Sequence, residues 1–338
     1  MQFSDARSRV AVVTGGSAGL GRAITRELAA RGWDVAVLAR GNDGAAAALE
    51  DVEAAGRRGL AVLADVSVND EVESAAERIE QALGPIELWV NNAMTGVFGE
   101  FLETDPEDFD RATRVVYLGF VNGTRAALKR MVPRDHGHVI QVGSALGHRG
   151  IPLQAAYCAA KHAIKGFTES VLTELLHNGS RVKLSEVDMP ALNTIQFNWV
   201  RNALPHHPQP VPPIYQPEVG ARAVAHVAEH PRRRTWVGEM TVATIIGNRL
   251  STRVADWYLA RTGYSGQQAP DKREAQIGVN LYEPVPGDQG AHGIFDDRAR
   301  RTSPQTWAIT HRTAAWAAAG AALAAAAVGG STALRSRR

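Results

Sequence analysis

The chain has 338 residues, more than one typical domain and enough for one large α/β domain with a remainder. With 45% hydrophobic and 21% charged residues it has a globular composition, which excludes wholesale disorder, a collagen-like rod and a polytopic membrane protein. A net charge of +2 offers no field for a nucleic-acid partner, and the single cysteine, Cys158, cannot form an intrachain disulfide, so a reducing cytoplasm is the expected compartment.

In chain order, Asp5, Arg7 and Arg9 with a short apolar run at 10–13 do not make a secretory signal. β-rich runs at 10–14, 35–39, 60–64 and 88–91 then alternate with helical periods at 20–31, 45–55 and 69–83, the last with Ser67 as its expected N-cap and Gly84-Pro85 as its stop. This is the βαβ pattern of a doubly wound parallel sheet, a Rossmann fold. A helix at 106–131, a strand at 138–142, a long helix at 154–177 and a strand at 181–187 continue it. Residues 188–217 are rich in proline and histidine and are expected to be a functional loop carrying Ile195, Phe197, Trp199, Leu204 and Tyr215. A helix at 218–229, a strand at 235–237, one helix over 241–261 and a Pro/Gly/Asp-rich wrap over 269–305 follow. Residues 1–238 thus read as the dinucleotide-binding domain, 239–305 as a helix-and-loop extension and 306–338 as a tail. In that tail 313–334 is uncharged and alanine-rich. It suits either a soluble helix packed on the body or a weak membrane anchor, since alanine and glycine contribute little transfer energy.

The first strand runs into Thr14-Gly15-Gly16-Ser17-Ala18-Gly19-Leu20-Gly21 and then a helix. Glycines at 15, 19 and 21 permit a tight turn, close approach of a pyrophosphate and close packing of helix on strand, while the helix N-terminus supplies free N–H groups; Ser17, Ala18 and Leu20 belong to the same cradle. The second strand ends in Arg40, where an NAD site would offer a carboxylate to the ribose 2′-hydroxyl. A guanidinium there suits a 2′-phosphate, with Ser17 assisting, so NADP(H) is expected over NAD(H).

Tyr157 and Lys161 lie at i and i+4 on the long helix, where an ammonium beside a phenol would lower the phenol's pKa toward neutrality. Ser144 follows the apolar strand at 139–142, at the end of a strand where open α/β sheets bind ligands. Cys158 reads as a packed side chain, His136, His138, His206 and His207 as surface loop histidines, and Arg232-Arg233-Arg234 as a solvated turn.

Together Thr14–Gly21, Asp65-Val66, Asn91-Asn92-Ala93, Ser144 and Tyr157/Lys161, in this order, resemble the short-chain dehydrogenase/reductase family, in a bacterial form with an extended C-terminus. The resemblance covers residues 10–238. It implies Tyr157 as general acid/base, Lys161 on the nicotinamide ribose and Ser144 orienting the carbonyl or alcohol. It further implies Asp65 and Val66 at the adenine, Asn92 and Ala93 at the adenosine side, and Pro190 and Thr194 near the carboxamide or phosphates. Hydride transfer with a small carbonyl or secondary-alcohol substrate, and a homodimer or homotetramer, follow from the same resemblance; no metal is implied. Three positions depart from the family: Val116 stands where an Asn supports a water-linked proton relay, Met94 where Gly follows Asn-Asn-Ala, and Ala191 where Gly follows Pro. Val116 keeps a second expectation open, a dinucleotide-binding sensor or membrane-tethered module with low turnover.

Overall fold

The computed structural model describes residues 9–269, 277–315 and 317. Strand β1 (Val10–Thr14), helix α1 (Gly19–Ala30), β2 (Asp34–Ala39), α2 (Asn42–Ala54), β3 (Gly59–Leu63), α3 (Asn69–Leu83) and β4 (Ile86–Asn91) form the first half. Short β5 (Val97–Phe98), α4 (Pro106–Thr113), α5 (Gly119–Arg134), β6 (His138–Ser144), α6 (Ala155–His177) and β7 (Lys183–Met189) form the second. Then come α7 (Gln196–Trp199), β8 (Arg201–Asn202), α8 (Pro217–Glu229), β9 (Arg234–Trp236), α9 (Glu239–Leu250), α10 (Thr252–Gly266) and α11 (Pro304–Thr310).

Seven strands make one parallel sheet in the order β3-β2-β1-β4-β6-β7-β9. Every residue of β1 is buried, as a strand covered on both faces requires. Ala11, Val13, Val35 and Val37 pack on one side, with Ile24 and Leu28 of α1 and Val224 of α8. Val10, Val12, Ala36 and Leu38 pack on the other, with Ile79 of α3 and Met131 of α5. The strand order reverses between β1 and β4, so a crevice opens at their carboxyl ends.

Several expectations need correction. The helix expected at 106–131 is two α-helices joined by a π-helical turn, Arg114–Leu118, an insertion that turns Val115 and Val116 inward. Ser67 does not cap α3; its hydroxyl donates to Asp65 Oδ1 at 2.7 Å, and Val68 occupies the cap position. The single helix over 241–261 is α9 and α10, divided at Ser251, whose Oγ accepts from Val254 N and so starts a new helix. His138 and His207 are buried rather than on the surface: His138 begins β6 and meets Ser185 Oγ at 2.8 Å, and His207 packs on Phe295. Arg234 is no solvated turn residue, because it opens β9 and pairs with buried Glu186 at 2.8 Å. Most of the alanine-rich segment 313–334 lies outside the described residues, among which no helix is long and apolar enough to cross a membrane.

A buried polar network ties the central strands to α5. Trp89 Nε1 donates to Asn91 Oδ1 at 2.8 Å, Asn91 Nδ2 donates to Gln141 Oε1 at 2.9 Å, and Gln141 Nε2 donates to Thr124 Oγ1 at 2.8 Å. Gly123 leaves room for it: a Cβ there would overlap Asn91 Oδ1 and sit 2.7 Å from Trp89 Nε1. Gly123→Ala is therefore expected to cost about 1–3 kcal/mol, the range for overpacking. Chemical denaturation checks this, and an unchanged midpoint would show that α5 can retreat at no cost.

Candidate active site

The loop after β1 is built by its glycines. Gly15 and Gly19 adopt positive φ, 64° and 54°, and a Cβ on Gly21 would overlap Gly15 O. Gly15 also packs so closely on Ala93 that a Cβ would lie 2.8 Å from Ala93 Cα. Thr14 Oγ1 accepts from Asn92 N at 2.9 Å and from Ala93 N at 3.1 Å, and Asn92 Nδ2 donates to Thr14 O at 3.0 Å. The loop is thereby fastened to the end of β4.

A cavity of about 500 Å³ runs along the carboxyl ends of the strands. Gly15, Ser17, Ala18, Gly19, Leu20, Gly21, Arg40, Asp65, Val66, Asn92 and Ala93 line one end. Ser144, Tyr157, Lys161, Pro190 and Thr194 line the continuation, so the catalytic and cofactor-binding candidates of the sequence meet one cavity. Beyond them it passes between Ile195, Phe197 and Trp199 of the 188–217 loop and Met240, Tyr258 and Leu259 of α9 and α10, an apolar outer section. Leu204 and Tyr215 are buried behind it and do not line it. The glycine cradle, the absence of side-chain bulk at 15, 19 and 21, and the length of the cleft fit a dinucleotide.

Two side chains at the adenosine end have partners that the sequence did not reveal. Arg111 binds Asp65 Oδ2 at 2.5 Å, and Ser67 donates to its Oδ1; burial pushes the carboxyl up, but these bonds outweigh it and hold the pKa below its ordinary value. The Arg40 guanidinium donates to Tyr282 O at 2.6 Å, Asn280 O at 2.9 Å and Asn280 Oδ1 at 2.7 Å. These acceptors belong to the C-terminal segment, which crosses this end of the cavity.

At the other end β6 terminates in Ser144, whose Oγ accepts from Leu146 N at 3.1 Å and is hydrogen bonded to the Tyr157 hydroxyl. Desolvation pushes the Tyr157 phenol up to about 12; Ser144 opposes this, and Cys158 and Asp188 add to it. This corrects the expected lowering toward neutrality: Lys161 Nζ lies 5.6 Å from the Tyr157 ring centroid and donates instead to Val142 O at 2.7 Å. Lys161 itself is buried, 4.5 Å above the Phe120 ring, and desolvation brings it down to about 7 against the pull of Glu186 and Asp188. Val116 packs with Phe120, Ala160 and Ile164, with Met94 against them, so apolar side chains fill the ground beside Lys161.

A buried ionic cluster, missed in the sequence, stands behind these residues. His148 Nε2 meets Asp188 Oδ2 at 3.0 Å, Asp188 Oδ1 has no hydrogen-bond partner among the described residues, and Glu186 pairs with Arg234. Gly143, the register partner of Asp188, makes the room, because a Cβ there would overlap Asp188 Oδ1. Two carboxylates, Glu186 and Asp188, on either side of Val187 in a strand buried from Leu184 onward, were the sequence signal.

Comparison with known proteins agrees with this geometry. The family model described as short chain dehydrogenase matches residues 9–201. The chain belongs to the short-chain dehydrogenase family. An uncharacterized oxidoreductase of Bacillus subtilis (strain 168), YxnA, is 30% identical over 331 residues, 94% of this chain and 92% of that protein. A 3-oxoacyl-[acyl-carrier-protein] reductase of Bos taurus is 35% identical over 176 residues, 52% of this chain and 73% of the reductase. Among solved structures, an alcohol dehydrogenase of the archaeon Thermococcus sibiricus, complexed with 5-hydroxy-NADP, superimposes with a TM-score of 0.59 at 25% identity, over 68% of this chain and 95% of that one. The match to YxnA covers 94% of this chain, against 52% and 68% for the other two.

The buried lysine has a consequence for stability. Its folded-state pKa lies below the free value of 10.5, so the unfolded chain binds the extra proton between about pH 7 and 10.5. The burial cost is therefore full below about pH 7 and fades as pH rises through that window. Lys161→Met is expected to raise the thermal midpoint near pH 6 and to lose that advantage by about pH 10. Calorimetry across the range checks this; a pH-independent difference would mean that Lys161 does not titrate there.

Proposed function

We propose that the protein is an NADP(H)-dependent oxidoreductase that transfers hydride between the nicotinamide and a carbonyl or secondary-alcohol carbon, with Ser144, Tyr157 and Lys161 as its catalytic residues. The observation that carries this reading is the convergence of those three side chains on the same cavity as the glycine loop. The family supports an oxidoreductase acting on CH–OH groups and a nicotinamide dinucleotide. Bound at the cradle, that dinucleotide supplies the hydride chemistry.

The chain's own residues then have defined work. Ser144 orients the substrate oxygen by a hydrogen bond, and the Tyr157 phenol, protonated throughout the physiological range, gives its proton to that oxygen as negative charge develops. Lys161, whose Nζ lies 5.6 Å from the Tyr157 ring centroid, is assigned to the nicotinamide ribose, and Thr194 and Pro190 line the same cavity. A phenol pushed up to about 12 is protonated at neutral pH, which is the form that carbonyl reduction uses. The apolar section between Phe197, Trp199, Met240 and Leu259 suits a bulky, lipophilic carbonyl compound. Arg40 and Ser17 support NADP(H), and assembly through α4, α5 and α6 into a homodimer or homotetramer belongs to the same proposal.

A second reading, a dinucleotide-binding module with slow turnover, is favoured by the apolar packing of Val116 with Phe120, Ala160 and Ile164 beside Lys161, where a valine cannot hold a relay water.

An NADPH-oxidation assay over a panel of lipophilic ketones and aldehydes separates the two. Turnover that falls about 10²–10⁴-fold in Tyr157→Phe supports the enzyme; tight binding with no turnover across the panel supports the module. For the wild type, alcohol oxidation is expected to climb with pH well beyond 9, toward the phenol's value of about 12, while carbonyl reduction does not. An alcohol-oxidation rate that levels off near pH 7 would refute the protonated phenol assigned to Tyr157.

A further inference from the structure

The C-terminal segment crosses the adenosine end of the cavity on acceptors that a nucleotide's phosphates would replace. Leu281 is buried among Val97, Ala112 and Ala156, and Ala291 is buried in the main core, but none of residues 282–290 is buried. Between those two anchors the segment is held by polar contacts, with Pro284 lying over Gly41. Gly19 N, at the start of α1, donates to Gly290 O at 2.9 Å. Arg22, itself buried, donates to Asp288 Oδ1 at 3.1 Å, and Gly287 N donates to Asp43 Oδ2 at 2.8 Å. Arg40 spends its terminal nitrogens on Asn280, Leu281 and Tyr282. The cavity nevertheless continues beneath, with Asn280, Pro284, Val285, Gly287 and Gln289 as its outer wall opposite the glycine loop.

We propose that residues 280–293 are a strap that completes the phosphate-binding half of the dinucleotide cleft and exchanges acceptors with the cofactor. The oxygens of Tyr282 and Gly290, in the unburied stretch 282–290, stand on the donors, Arg40 and Gly19, that a 2′-phosphate and a pyrophosphate require, so that stretch lifts for the cofactor to enter or leave while Leu281 stays anchored. The exchange is downhill because a phosphate brings full negative charge and two coplanar oxygens to the guanidinium fork, where a carbonyl brings only a dipole. The two anchors keep the released segment close, so it settles again over the bound nucleotide. This inference rests on the dinucleotide reading above and adds a chain segment to the site.

The test is to pin the strap. A Cβ at Gly41 would lie 3.1 Å from Pro284 Cβ, so a small outward shift of the segment reaches the separation of about 3.5–4.5 Å found in disulfides. In a Gly41→Cys/Pro284→Cys double variant, NADPH association and dissociation are followed by nicotinamide fluorescence in the oxidised and reduced forms of the same preparation, and in parallel for NADH. Oxidation is expected to slow NADPH association at least 100-fold, and oxidation after loading is expected to retain the nucleotide through gel filtration; reductant reverses both. Equal rates in the two forms would overturn the strap. A second variant, Asn280→Ala/Asp288→Ala, loosens it without a cross-link and is expected to speed association and dissociation at least tenfold each, with unchanged rates counting against the proposal. Failure of the wild type to bind either nucleotide is a different result: it would overturn the cofactor reading, and the strap's role with it.

Discussion

The Thr14 hydroxyl is the point on which the site is assembled. It accepts two backbone N–H groups from the end of β4, Asn92 and Ala93, while the Asn92 side chain returns a bond to Thr14 O. Thr14 is buried and Asn92 and Ala93 nearly so, and each donor left unpaired would cost about 1–3 kcal/mol. The clasp therefore fixes the mouths of β1 and β4 against each other at the place where the strand order reverses. Gly15 then lies on Ala93 and Gly21 on Gly15 O, contacts that admit no Cβ. Close approach at the loop and the opening of the crevice beside it are one constraint seen from two sides.

The same sheet carries a less comfortable arrangement at its other end. Lys161 is buried with one carbonyl and the rings of Phe120 and Tyr157 as its near partners, so desolvation weighs against its charge, and the carboxylates of Glu186 and Asp188 restore part of it. Those carboxylates are themselves buried and stand on Arg234 and His148. Each member is tolerable only because the next is present, which is how a buried ionic group is retained where packing alone would favour apolar residues. The cluster holds an ammonium dry behind Tyr157 without any side chain at position 116 able to hydrogen bond.

What was legible in the sequence follows from locality. The unbroken apolar runs of β1 and β2, the glycine spacing after β1 and the i, i+4 pair on α6 are all carried by neighbours in the chain, and each was read within a few residues of its observed bounds. The π-helical turn at Arg114–Leu118 has no compositional mark, since its valines suit an α-helix as well. The expected effect of Lys161 on Tyr157 failed for a similar reason: i, i+4 spacing fixes a shared helix face, but whether the ammonium spends its bond on the phenol or on Val142 O is decided by β6. His138, His207 and Arg234 were placed on the surface because polar residues near turns usually lie there, and their partners Ser185, Phe295 and Glu186 come from distant parts of the chain.

Arg40 shows why a residue's type and its role separate. Its position at the end of β2 suits a 2′-phosphate, yet the same exposed donors attract any acceptor the chain can bring, and residues 280–282 bring four oxygens. A guanidinium left bare at the rim of a cavity would bind water at no gain, whereas one satisfied by neutral backbone carbonyls keeps its affinity for a phosphate largely unspent. Burial lowers the Arg40 pKa somewhat, but the group stays charged. The contact with the strap is thus strong enough to order an otherwise unburied segment and weak enough to yield to a phosphate's double charge. A segment that satisfied Arg40 with a carboxylate would have met the phosphate as an equal and closed the site.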